Sequence, residues 1–401
     1  MKRILAVTLG TCLLFSSLSV QASKLSNYAG KKLHQASELQ QEDKLNEAIV
    51  LLEGMSLKSD YDKAFTKRIL GVYYWQSENA AKAIKSLDVS VKVNALQPVD
   101  QWKTRQMLAD ILFSEQKFKQ AIQHYLVLLK TDYPASDNNV KKQLIKDKNA
   151  IQLRMSMAYY QQQNWKSSLA RIKQYKPSNS RETLQALKIR VVSELQLERW
   201  KDAEKTVNRI LRFEPNQKSW WQQLVSTQLQ QGKQQSALET YALSKHQGIH
   251  FTINEYIVMA QLYGQHRMPE KAARILKEMF AKYPKSKSEK NLRMQANYWQ
   301  VAKEWDNAIS AWQTVSKINP KYHWRLAQLL IQQSRYQQAI GIIDKARPYA
   351  DRRDFSLAKI RLLYKLNRFQ DALAEAKRLN EKIPSDSAKG WISYLSNKVS
   401  S

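Results

Sequence analysis

The feature that most constrains this chain is a repeat. A small residue followed four positions later by a large apolar one recurs along the sequence: Ala48/Leu52, Ala83/Leu87, Ala121/Tyr125, Ser168/Ile172, Ala203/Val207, Ala237/Tyr241, Ala272/Leu276, Ala308/Trp312, Ala339/Ile343 and, more weakly, Ala372/Ala376. Successive small residues stand 35, 38, 47, 35, 34, 35, 36, 31 and 33 apart. A period of this length means one supersecondary unit copied many times. Each copy cannot bury its apolar face alone and must stack on its neighbours. The small residue lets two helices approach closely, and the large one fills the gap between helix pairs.

Other marks fall in register. An aromatic residue often stands three positions before the small one, as in Phe118, Trp165, Trp200, Trp305, Tyr336 and Phe369. A proline often stands twelve positions after it, as in Pro215, Pro284, Pro320 and Pro384, where it stops the second helix because it cannot continue one. First-helix halves of the pattern appear as Leu70-Gly71-x2-Tyr74, Trp221-x2-Leu224 and Tyr256-x2-Met259-Ala260-x2-Tyr263. Together these marks resemble the tetratricopeptide repeat (TPR) family over residues 28 to 385. The resemblance implies an all-α, TPR-like helical-hairpin solenoid of about ten helix pairs. A terminal helix over Ser387 to Lys398, with Trp391 and Tyr394, is expected to cap the last pair. Gly and Pro, 9 each in 401 residues, are scarce enough for helices joined by short turns.

The 47-residue step between Ala121 and Ser168 is the exception. It contains the turn-rich run Thr131-Asp132-Tyr133-Pro134-Ala135-Ser136-Asp137-Asn138-Asn139. The sequence therefore reads as a signal segment (1–22), an N-terminal block (23–134), a longer loop or insertion (135–150), a C-terminal block (151–385) and a capping helix with tail (386–401). The insertion either divides the solenoid or is a surface loop of no consequence.

Met1-Lys2-Arg3 begins the chain, and an uncharged stretch from Ile4 to about Val20 follows, ending in Val20-Gln21-Ala22. This is the form of a cleavable secretory signal, with cleavage expected between Ala22 and Ser23. An uncleaved anchor is the alternative. No later segment approaches the ~20 apolar residues of a membrane span. Cys12, the only cysteine, sits inside the apolar run, so the mature protein has no disulfide and relies on its core. The expected compartment is the periplasm.

The formal net charge is +30, with 29 basic and 18 acidic residues over 24–200 and 34 and 17 over 201–401. Export argues against nucleic acid as the partner. An acidic protein, anionic headgroups or an anionic envelope polymer suits the charge, and a generally basic solvated surface is the alternative.

No chemistry of catalysis stands out. The sequence has no Gly-rich phosphate loop, no Gly-x-Ser-x-Gly elbow and no His-Glu-x2-His helix. Of the six histidines only His246-x3-His250 has a helical ligand spacing, and Gly248 between them breaks the helix. No enzyme activity, metal or cofactor is expected. Trp165, Trp200, Trp221, Trp299, Trp305 and Trp312 occupy large-apolar repeat positions and read as core. Trp75 and Trp324 fall where a first helix faces the concave groove, and either pack there or touch a ligand.

Stacked first helices usually present a groove to an extended peptide or partner helix. Projecting the register puts Lys188, Val192 and Gln196 on that face. Gln222, Ser226 and Gln230 follow, then Asn254, Ile257 and Gln261, then Lys290, Arg293, Asn297 and Gln300, then Lys321, Trp324 and Gln328. Amides suit a peptide backbone, and Lys and Arg suit an acidic segment or a C-terminal carboxylate. Arg293-x3-Asn297 is similar to part of the carboxylate clamp of some TPR domains, without the rest of it. In length, signal segment and basic, Gln-rich helices the chain resembles the exported TPR proteins that accompany TonB energy-transduction systems. That resemblance implies a periplasmic adaptor that contacts TonB or ExbB/ExbD-type motor proteins. A scaffold for polysaccharide secretion, pilus or outer-membrane biogenesis, or a non-catalytic subunit of an envelope hydrolase, remains open.

Overall fold

A computed structural model of the chain describes residues 25–134 and 137–400. The signal segment, its cleavage site at Ala22 and Ser23, and Cys12 lie outside the described residues. Among those residues the fold is entirely helical: 21 α-helices, three short 3-10 turns and no strand. The chain divides into two compact units, one up to Pro215 and one from Asn216.

The first unit holds five helical hairpins. They are α1 (Asn27–Gln41) with α2 (Leu45–Glu53), α3 (Asp60–Gln76) with α4 (Ala80–Val93), and α5 (Pro98–Ser114) with α6 (Phe118–Lys130). Then come α7 (Asn138–Gln161) with α8 (Trp165–Ile172), and α9 (Ser180–Gln196) with α10 (Trp200–Leu211). The second unit holds five more: α11 (Lys218–Gln230) with α12 (Gln234–His246), α13 (Ile253–Gln265) with α14 (Pro269–Lys282), and α15 (Glu289–Val301) with α16 (Trp305–Ile318). Then come α17 (His323–Gln332) with α18 (Tyr336–Ala346), α19 (Arg352–Lys365) with α20 (Phe369–Lys382), and a last helix, α21 (Asp386–Ser400). Ten pairs and a capping helix are what the repeat pattern implies.

The physical reason is visible at the crossing points. All ten small repeat residues, from Ala48 to Ala372, are fully buried at 0 % exposure. Twelve residues before each stands its first-helix counterpart, such as Ala36, Gly71, Ala109, Ser156, Ala260, Ala296 and Ala327. At Gly71 the approach is too close for a side chain: a Cβ there would lie 2.5 Å from Leu87 Cγ. The prolines act as expected. α10, α14, α16 and α20 all end before Pro215, Pro284, Pro320 and Pro384, and Pro284 and Pro320 open 3-10 turns.

A second device repeats in every hairpin. Seven residues after the crossing residue the backbone turns left-handed: Asp43, Glu78, Gln116, Gln163, Glu198, Gly232, Arg267, Lys303, Ser334 and Asn367 all have positive φ. The following amide then reaches back to the first helix, as in Asn79 N to Tyr74 O at 2.8 Å and Glu304 N to Trp299 O at 3.0 Å. This is a Schellman closure, which satisfies carbonyls the helix end would leave bare.

Three expectations need correction. The 135–150 segment is not a loop beyond residue 137. Asp137 caps α7, accepting from Asn139 N at 2.7 Å and Val140 N at 2.9 Å, so the polar run is a helix start. Leu144, Ile151, Met155 and Ala158 then line one buried face, and the extra length of the step is helix. The compact units also part at Pro215/Asn216 rather than around this segment, so the first unit includes α7 to α10. Of the tryptophans read as core, Trp221, Trp299 and Trp312 are buried, while Trp165, Trp200 and Trp305 open second helices and are half-buried.

Candidate functional site

The first helices carry the candidate site, and register fixes which side chains share their face. Relative to the crossing residue, the face holds the positions six and three before it, and one and four after it. In the first unit three residues of this face, Arg68, Lys103 and Asp110, are tied by charge to a neighbouring first helix. Arg68 of α3 donates to Asp100 of α5 at 2.6 Å, Lys103 of α5 pairs with Asp147 of α7, and Arg154 of α7 lies 3.3 Å from Asp110 of α5. Asp110 also accepts from the Tyr125 hydroxyl at 2.6 Å. Burial pushes the Asp110 carboxyl above its ordinary range, with Arg154 and Tyr125 opposing that rise. Lys188, the expected charged groove residue in this unit, is held by Glu214 at 2.7 Å.

In the second unit the face is only partly linked. Glu255 of α13 accepts from Lys218 and Gln222 of α11, each at 2.8 Å. Burial raises its carboxyl, but Lys218, the Thr252 amide and Gln222 outweigh this and hold it below the usual range. Glu289, at the start of α15, accepts from Asn319 at 3.0 Å and from the Tyr322 hydroxyl at 2.9 Å, and Lys321 lies 3.6 Å away. Those hydrogen bonds, from Asn319 first and Tyr322 next, keep Glu289 below the usual range as well. Arg293 donates to Tyr322 at 3.1 Å. Gln300 accepts from Trp312 at 3.0 Å, and Trp324 leans on Phe355, ring centroids 6.5 Å apart.

The expected residues thus fall into two groups. Gln222, Arg293, Gln300, Lys321 and Trp324 each bind or pack on neighbouring elements. The side chains of Asn254 and Gln261 on α13, and of Lys290 and Asn297 on α15, make no hydrogen bond or ion pair among the described residues. These four occupy equivalent positions, six before and one after Ala260 and Ala296. Ile257 and Arg293 stand between them.

The sequence reading missed the end of this face. Leu357, Arg361 and Tyr364 of α19 occupy the same register and line an open cavity of about 530 Å³ with Trp391 and Tyr394 of α21. The Tyr364 and Tyr394 hydroxyls are 2.9 Å apart, and the Tyr364 and Trp391 ring centroids 5.7 Å. The repeat spacing of α19 could have placed the first three residues, whereas the aromatic pair was assigned only to the capping helix. His246 ends α12 and Gly248 follows with positive φ, so His246 and His250 do not share a helix.

Comparison with known proteins agrees with the repeat. A family model described as tetratricopeptide repeat matches residues 293–353. No protein of curated function matches by sequence. Among solved structures, the chain is similar to the C-terminal part of a TPR repeat-containing protein from Cytophaga hutchinsonii, at 14% identity and TM-score 0.36, covering 72% of this chain and 95% of that one. It is similar to a tetratricopeptide repeat protein from Parabacteroides merdae at 12% identity and TM-score 0.33, covering 67% and 99%. It is also similar to Pseudomonas aeruginosa pilF at 18% identity and TM-score 0.29, covering 60% and 100%. Ten buried small residues in step and ten hairpins make the fold a tetratricopeptide-like helical-hairpin solenoid, and residues 293–353 match the tetratricopeptide repeat itself.

Proposed function

We propose that this protein is a non-catalytic periplasmic scaffold whose second unit receives an extended, acidic protein segment on its first-helix face. The observation that carries this reading is the set of unpaired side chains on α13 and α15. At their N-terminal ends α13 and α15 are tied to neighbouring elements through Glu255 and Glu289. On α13 and α15, Asn254, Gln261, Lys290 and Asn297 keep their hydrogen-bonding capacity unused. Amides that both donate and accept suit a peptide backbone, and Lys290 with Arg293 suits a carboxylate. An accessory role in a TonB-dependent transport system, in contact with TonB or ExbB/ExbD-type proteins, fits the signal segment and the excess of basic residues.

The test is crosslinking of the epitope-tagged protein in its native cells under iron limitation, followed by mass spectrometry. Capture of TonB or its motor proteins, abolished in the Lys290→Glu/Arg293→Glu double variant, is the expected result. Capture of secretion, pilus or cell-wall proteins with no TonB component overturns the TonB assignment. Capture that persists unchanged in the double variant overturns the placement of the contact on this face.

A further inference from the structure

A separate cavity of about 500 Å³ lies between the turn after α18, the start of α19 and the C-terminal half of α20. It is lined by Arg347, Arg352, Arg378 and Lys382, over a floor that includes Phe355 and Leu379. One carboxylate faces it, Glu375, which is buried at 7 % exposure. Both Glu375 oxygens are occupied: Oε1 accepts from the Ser356 hydroxyl at 3.0 Å and Oε2 from Arg378 Nη1 at 3.2 Å. Asp351, next to Arg352 in sequence, caps α19 by accepting from Arg353 N at 2.9 Å and Asp354 N at 3.1 Å. Arg347, Arg352 and Lys382 form no ion pair among the described residues.

Cations that share a cavity without counter-charge repel one another, and this repulsion is relieved only by an anion or by solvent. The cavity falls in the size range of small-molecule sites, roughly 300–1,000 Å³. Its residues come from a 3-10 turn and two packed helices, so their backbone positions are fixed. Four cations against one occupied carboxylate match an anion with several charges on one centre better than a single carboxylate. Guanidinium groups bind phosphate oxygens in pairs. We infer that this cavity is a binding site for a multiply charged phosphate group, borne by a soluble molecule or by a lipid headgroup. It stands apart from the first-helix face and does not rest on the peptide reading.

The test uses the full-length mature protein and inorganic pyrophosphate as the probe in isothermal titration calorimetry. Saturable one-to-one binding is expected, weakened about tenfold or more in Arg352→Gln and in Lys382→Gln. Lys277→Gln, an exposed cation on α14, is expected to leave the affinity unchanged. Both pocket residues are exposed, and a melting curve for each variant checks that the fold is intact. Vesicles of phosphatidylcholine doped with phosphatidic acid, whose phosphomonoester can carry two charges, separate the sources. Vesicle binding that pyrophosphate displaces and the same variants abolish assigns a headgroup. Pyrophosphate binding without vesicle binding assigns a soluble phosphate. No saturable pyrophosphate binding, equal weakening by Lys277→Gln, or equal displacement by a poly-glutamate peptide overturns the inference.

Discussion

At the scale of single residues, the crossing points set what each position tolerates. Gly71 and Gly341 are both helical glycines, and they answer to opposite constraints. An added Cβ at Gly71 meets Leu87 at 2.5 and 2.6 Å and the Ala83 carbonyl at 3.4 Å, whereas at Gly341 it meets nothing within 4 Å. Gly71→Ala therefore overpacks the α3–α4 crossing and is expected to cost about 1–3 kcal/mol. Gly341→Ala removes backbone freedom from the unfolded chain at an open site on α18 and is expected to stabilise by about 0.5–1 kcal/mol. Urea denaturation of the two variants measures both, and equal signs would refute the packing account of Gly71. The same logic explains why the sequence shows Ala at many crossing residues. It also explains the first-helix crossing residues Val191, Val225 and Ile360, where the opposing second-helix residue is Ala and the larger side chain takes up the space.

At the scale of the hairpin, the helices were legible and their turns were not. Apolar spacing and a buried small residue recur in the sequence because packing leaves few substitutes at those positions. The left-handed turn residue is glycine only at Gly232, and is Asp, Glu, Gln, Arg, Lys, Ser or Asn in the other hairpins. A polar residue there is indistinguishable from any exposed one, so the closure appears only in the backbone. The 135–150 segment was misread for a related reason, since Asp137-Asn138-Asn139 serves equally as a turn and as a helix cap. The turns yield a prediction. Lys303 has φ 60°, and its side chain makes no hydrogen bond or ion pair among the described residues, so it brings the left-handed strain without compensation. Lys303→Gly is expected to stabilise the protein by about 0.5–1 kcal/mol, and the β-branched Lys303→Val to destabilise it by at least as much. Unchanged urea midpoints for both would show that the turn is free to leave the left-handed region.

At the scale of the whole molecule, a repeat protein is held by contacts between neighbouring elements, and its ends are where that arrangement fails. Register alone placed the first-helix face, because it follows from the period. Which of its side chains are free did not follow, because Gln222 and Asn254 look alike until Glu255 is seen to hold one of them. The cationic cavity was hidden for the same reason: Arg347 and Lys382 belong to different elements that only folding brings together. The last helix shows the end effect directly. Ala388 and Leu395 of α21, both at 0 % exposure, complete a cluster with Ile360, Leu363, Ala372, Ala376 and Leu379. Without α21 that apolar face of the last hairpin meets water. Leu395→Ala leaves a cavity in the cluster and is expected to cost about 2–5 kcal/mol locally. Deletion of residues 386–401 is expected to abolish amide-exchange protection in α19 and α20 and to promote aggregation through the bared face. Because stabilising contacts are between neighbours, protection in α3 to α6 is expected to stay at its wild-type level. Hydrogen exchange read helix by helix decides the matter. Loss confined to the C-terminal hairpins is what a capping helix predicts. An equal loss throughout the chain would mean that stability is shared globally and that α21 is part of one cooperative core.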